Sequence, residues 1–118
     1  FSKLGANITL LTSIECAPKS EELEYLSQFS RVVAVSDKRE AFKNADLLYL
    51  GGAQEGLYID ESDLDLLPAY ASVSGPVPVS PSLISKPALK NKNCLFSLQA
   101  ENGVHASKAV LSAFAEKA

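Results

Sequence analysis

A chain of 118 residues has room for one domain around one modest core, and it excludes a two-lobed architecture. Its 47% hydrophobic and 21% charged residues place it in the ordinary globular range rather than the disordered one. A formal net charge of −3, with the lysines scattered, excludes the clustered basic surface that phosphate chains require, and no apolar run approaches the roughly 20 residues of a membrane span. Nucleic acid and membrane insertion are therefore not expected.

In chain order, Asn7 to Leu11 is a short aliphatic and β-branched run after Gly5, suited to a buried strand. Pro18 opens a helix with Glu21 and Glu22 in its positive first turn and Leu23, Leu26 and Phe29 on one face. Arg31 to Val35 reads as a second strand. Asp37, followed three residues later by Glu40, is a capping-box pattern for a short helix reaching Asn44. Asp46 to Leu50 is a third strand, ending at Gly51-Gly52. Strands alternating with helices in this way call for a parallel sheet, because parallel strands need crossover connections.

The acidic stretch Asp60 to Asp65 supplies one or two helical turns before Pro68 interrupts it. Ser74 to Pro87 contains Pro76, Pro78, Pro81 and Pro87 and is expected to be irregular. Asn93 to Ser97 reads as a last short strand. From about Glu101 a helix follows, with Val104, Val110, Leu111 and Phe114 as an apolar stripe.

Few residues carry chemistry. His105 is the sole histidine and no Gly-x-Ser-x-Gly elbow accompanies it, so an exposed helix residue is the better reading than a member of a triad or metal site. Gly51 to Gly56 follows a strand, where open α/β sheets place their crevices, but it is neither a dinucleotide fingerprint nor a phosphate loop. Asp60, Glu61, Asp63 and Asp65 lack the glycine and spacing of a calcium loop and read as a solvated acidic face. Cys16 and Cys94 are too few and too distant for a zinc site and are expected to be reduced, buried thiols. No cofactor and no metal are expected.

Three stretches together resemble the second, amino-acid-binding domain of the aspartate and ornithine carbamoyltransferases. FSKLGANITLL, Phe1 to Leu11, resembles the end of that domain's first helix and its second strand. NADLLYLGGAQ, Asn44 to Gln54, resembles the family's Asp-Val-Val-Tyr strand and the Thr-Arg-x-Gln loop after it. QAENGVHASKAVLSA, Gln99 to Ala113, resembles the carboxyl-terminal helix entry, often Gln-x-x-Asn-Gly followed by an aliphatic helix.

The resemblance implies a three-layer Rossmann-like α/β domain, residues 1–118, with a mostly parallel sheet of about four strands that is incomplete at its amino-terminal edge. It also implies a degenerate site. The family's carboxylate-binding Arg is matched by Gly52, while the nearby Gln persists as Gln54. The His-Pro-Leu-Pro-Arg segment has two echoes, Gly75 to Val79 or Phe96-Ser97-Leu98-Gln99, and neither keeps the His or the Arg. Gly52, Gln54 and Leu98 are thus vestigial ligand positions, and no catalytic residue is assigned. The Ser-x-Arg-Thr phosphate loop of the family's other half is absent from these residues.

These features imply a non-catalytic carbamoyltransferase-like domain, a structural or accessory subunit held by other protein subunits. Two alternatives stay open: a fragment of an active aspartate or ornithine carbamoyltransferase whose carbamoyl-phosphate half lies elsewhere, and a small-molecule sensor. The absence of Met and the start at Phe1 fit a processed chain or a piece of a longer one. Transit-peptide removal would point to the mitochondrion, with the cytoplasm as the alternative.

Overall fold

The computed structural model describes residues 1–52 and 56–117. Four strands and four α-helices alternate: β1 (Ile8–Leu11), α1 (Ser20–Leu26), β2 (Val32–Val35), α2 (Lys38–Phe42), β3 (Leu47–Tyr49), α3 (Glu61–Leu64), β4 (Ser72–Ser74) and α4 (Phe96–Lys117). All pairing is parallel. β1 runs beside β2 with Ile8 opposite Val32, and β3 runs beside β4 with Leu47 opposite Ser72. The two pairs form separate two-stranded sheets.

Local chemistry accounts for the helix starts. The Lys19 amide donates to the Glu22 carboxylate at 3.0 Å, fixing the first turn of α1 just after Pro18. Asp37 caps α2 by accepting from the Arg39 amide at 3.0 Å. Asp60 and Asp63 exchange side-chain to backbone bonds of 3.0 Å each and begin α3. The Ser62 hydroxyl, and then the Asp63 amide, hold the Asp60 carboxyl below the usual carboxylate range. The acidic stretch is thus partly structural, because Asp63 also pairs with Lys38 of α2 at 2.7 Å.

The core lies almost wholly downstream of α2. Phe42, Ile59, Val73, Ile84, Ala88 and Phe96 are buried together, and Leu50, Leu64, Leu67 and Ala71 extend the same cluster. In the β1–β2 half only Val32 among the hydrophobic residues is buried. The proline-rich stretch is irregular as its composition requires. It is nonetheless anchored, since Ile59 bridges to Ile84 and the Ile59 amide donates to the Leu83 carbonyl at 2.9 Å.

Three sequence expectations are corrected. The last strand is only a bridge between Val73 and Cys94, because α4 begins at Phe96 and takes Ser97 into its first turn. Phe96 is buried, and that anchors the helix start five residues earlier than the polar run Glu101-Asn102 suggests. Cys16 is exposed rather than buried, lying in a 3-10 turn, Ile14–Cys16, on the surface. The stripe Val104, Val110, Leu111 and Phe114 is present on α4 but open to solvent. No helix among the described residues is long and apolar enough to cross a membrane.

Candidate functional site

Open α/β sheets bind ligands at the carboxyl ends of their strands. β3 is followed by Leu50, Gly51 and Gly52, and β4, ending at Ser74, is followed by Gly75 and Pro76. Leu50 ties the two ends together by donating from its amide to the Ser74 carbonyl at 2.8 Å. A β-carbon on Gly75 would stand 2.6 Å from the Leu50 carbonyl oxygen and 3.3 Å from the Phe96 ring. Gly75 is therefore required for the close approach of the two strand ends.

The first turn of α4 closes this corner. The side-chain oxygen of Gln99 accepts from the Ser74 hydroxyl and from the Gly75 amide, the latter at 3.2 Å. These two donors are thus engaged within the protein. After Gly75 the chain turns through Pro76, Val77 and Pro78, with the Val77–Pro78 peptide cis.

The positions singled out in the sequence are distributed unevenly around this corner. Gly52 follows the end of β3 and is exposed, with nothing within 4 Å of where a side chain would start. Leu98 lies on the first turn of α4 and is half-exposed. Gln54 lies outside the described residues. His105 is exposed on α4, well beyond the corner in sequence.

Ser74, Gly75 and Gln99 form the polar centre of the corner, and the sequence reading did not group them. Gln99 is 24 residues from Gly75, and no local pattern links them. The signal that would have found them is a helix start at Phe96, which places Gln99 on the first turn.

The described residues at these strand ends carry no charge. The Lys38 ammonium is already engaged by the Tyr58 carbonyl at 2.5 Å and by Asp63. No group of three or more His, Cys, Asp or Glu is placed to hold a metal ion among the described residues. A shallow open depression on α1, lined by Pro18, Glu21, Glu22, Tyr25 and Leu26, involves none of the corner residues.

The parallel α/β arrangement has specific counterparts among solved structures. The fold is similar to that of ornithine carbamoyltransferase from Gloeobacter violaceus, with TM-score 0.79 and 24% identity over 93% of this chain and 43% of that one. It is similar to ornithine carbamoyltransferase from Pyrococcus furiosus, with TM-score 0.78 and 20% identity over 94% of this chain and 42% of that one. It is also similar to acetylornithine transcarbamylase complexed with acetylcitrulline, with TM-score 0.76 and 18% identity over 95% of this chain and 41% of that one.

At these identities the likeness shows the fold alone, and that fold is carbamoyltransferase-like. The chain spans about two fifths of the length of the enzymes it matches. No family model matches the sequence, and no curated protein matches it.

Proposed function

We propose that residues 1–118 form a degenerate amino-acid-binding domain of the carbamoyltransferase type, one that performs no carbamoyl transfer itself and serves as a structural or accessory part of a larger protein assembly. The observation that carries this reading is the lack of charge among the described residues of the strand-end corner. Carbamoyl transfer develops negative charge on a phosphate leaving group and binds an amino-acid carboxylate, and both demand preorganised cations or free donors. Here Gly51, Gly52 and Gly75 offer no side chain, no described residue at the strand ends is cationic, and the Ser74 hydroxyl and the Gly75 amide already donate to the Gln99 side-chain oxygen. The exposed apolar residues of α4 favour a partner surface.

A second reading rests on one observation, the match to about two fifths of each enzyme. In that reading the chain is part of an active carbamoyltransferase whose remaining residues supply the phosphate-binding groups.

Native mass spectrometry and calorimetric titration with carbamoyl phosphate, ornithine and aspartate, on protein purified with its partners retained, test the proposal. It predicts a species heavier than the 12.6 kDa chain and no saturable heat with any of the three. Saturable binding of ornithine or aspartate alone would support a sensor. Binding of carbamoyl phosphate would favour the enzyme reading.

A further inference from the structure

α4 is held at its first turn. Phe96 is buried and Gln99 is bonded to Ser74 and Gly75, whereas every described residue from Ala100 onward is exposed. Over that length the helix is maintained by its own backbone bonds, each from an N–H to the carbonyl four residues back. Its weakest stretch follows directly on the anchored turn. Asn102, Gly103 and Val104 are three successive poor helix formers, and a β-carbon on Gly103 would meet nothing within 4 Å, so no close approach demands a glycine there. Local opening of α4 is therefore easiest at this point.

Asn102 is also the one asparagine in the chain that precedes a glycine. An asparagine side chain is open to attack by the backbone nitrogen of the next residue, and a glycine leaves that nitrogen unobstructed because it has no side chain. As the Gly103 nitrogen gives up its proton, it bonds to Cγ of Asn102, the Cγ–Nδ2 bond breaks, and the nitrogen leaves with the proton as ammonia. Water then opens the five-membered succinimide at either carbonyl. One opening gives aspartate and the other isoaspartate, in which the main chain runs through the side-chain carbons. The sum is asparagine plus water to aspartate or isoaspartate plus ammonia, and it needs no oxidant or cofactor. A closed helix holds the reaction off, because the Gly103 amide then donates to the carbonyl of Gln99, four residues back. Opening at the weak stretch releases that amide.

The other asparagines are poorer candidates. Asn7 precedes β-branched Ile8, and its side-chain oxygen accepts from the Arg31 amide at 3.2 Å. The Asn91 side-chain oxygen accepts from the Asn93 amide at 2.9 Å, and the Asn93 side chain donates to the Ala69 carbonyl at 3.4 Å. Asn44 precedes Ala45, whose β-carbon crowds the attacking nitrogen.

We propose that Asn102-Gly103 is a modification site, at which spontaneous deamidation converts Asn102 to aspartate and isoaspartate. Isoaspartate adds a methylene to the main chain and breaks the helical register between Gln99 and the residues beyond it. Val104, Val110, Leu111 and Phe114 then lose their fixed orientation relative to the strand-end corner. Aspartate adds a charge and leaves the register intact. The site thus limits how long α4 presents its apolar stripe in one orientation.

The test is ageing of the full-length protein in its native state, at mildly alkaline pH and body temperature, followed by peptide mapping with fragmentation that distinguishes isoaspartate from aspartate. Conversion at Asn102 ahead of Asn7, Asn44, Asn91 and Asn93 is the expected result. Gly103→Ala should slow it at least about 5-fold, the factor that the helix preference of alanine over glycine carries. Conversion at Asn102 no faster than at Asn44, or unchanged in Gly103→Ala, would overturn the site. Amide exchange from Val104 to Phe114 is expected to be faster in the isoaspartate fraction than in the aspartate fraction. Equal exchange in the two would overturn the effect on the stripe.

Discussion

Glycines at the strand ends separate packing from chemistry most sharply. Gly75 has no room for a β-carbon beside the Leu50 carbonyl, whereas Gly52 has open space around it and a backbone that needs no positive φ. Gly75→Ala should therefore cost about 1–3 kcal/mol, the range for overpacking, while Gly52→Ala should fall within about 0.5 kcal/mol of the parent. Urea titration of the two variants checks this, and equal effects would mean that the corner is not tightly packed. The cysteines offer a second contrast. Cys94 is partly buried, its thiol donates to the Ala88 carbonyl at 3.4 Å, and burial raises its pKa, while Cys16 is exposed. Alkylation at neutral pH followed by peptide mapping should label Cys16 first, because the thiolate is the reacting form. Prior labelling of Cys94 would contradict the placement.

At the scale of elements, much was legible. Because these signals are local, the cap at Asp37 and the alternating aliphatic runs place β1, β2 and β3 to within a residue or two and mark the helices between them, although α1 stops at Leu26, three residues short of Phe29 in its apolar stripe. The start of α4 was not legible in the same way. Phe96 belongs to the helix because it is buried in a core assembled from Phe42, Val73 and Ile84, whereas Asn93 to Ser97 reads as a strand when seen alone. The corner built by Ser74, Gly75 and Gln99 was hidden for the same reason. Its partners come from elements far apart in sequence.

α4 itself is 22 residues, about 33 Å at 1.5 Å per residue, and every described residue from Ala100 onward is exposed. Leu111→Ala and Phe114→Ala, at 68% and 71% exposure, should each change the stability of the isolated chain by less than about 0.5 kcal/mol. In the assembled protein the pair should weaken association, measured as a rise in Kd by sedimentation or native mass. Loss of several kcal/mol from the isolated chain would show that the stripe packs within the domain.

For the molecule as a whole, the radius of gyration is 16.3 Å, against about 13.5 Å expected for a compact chain of this length. The exposed length of α4 and the division of the strands into two separate two-stranded sheets accompany that excess. The fold matches about two fifths of the length of each carbamoyltransferase. The described residues of its strand-end corner are uncharged and internally bonded, which is the ground for proposing that this domain supplies architecture rather than chemistry. The most direct test is a carbamoyl-transfer assay on the protein purified with its partners, using carbamoyl phosphate with ornithine and with aspartate. No citrulline and no carbamoyl-aspartate above the uncatalysed rate is the predicted result; formation of either in proportion to the amount of this protein would contradict it.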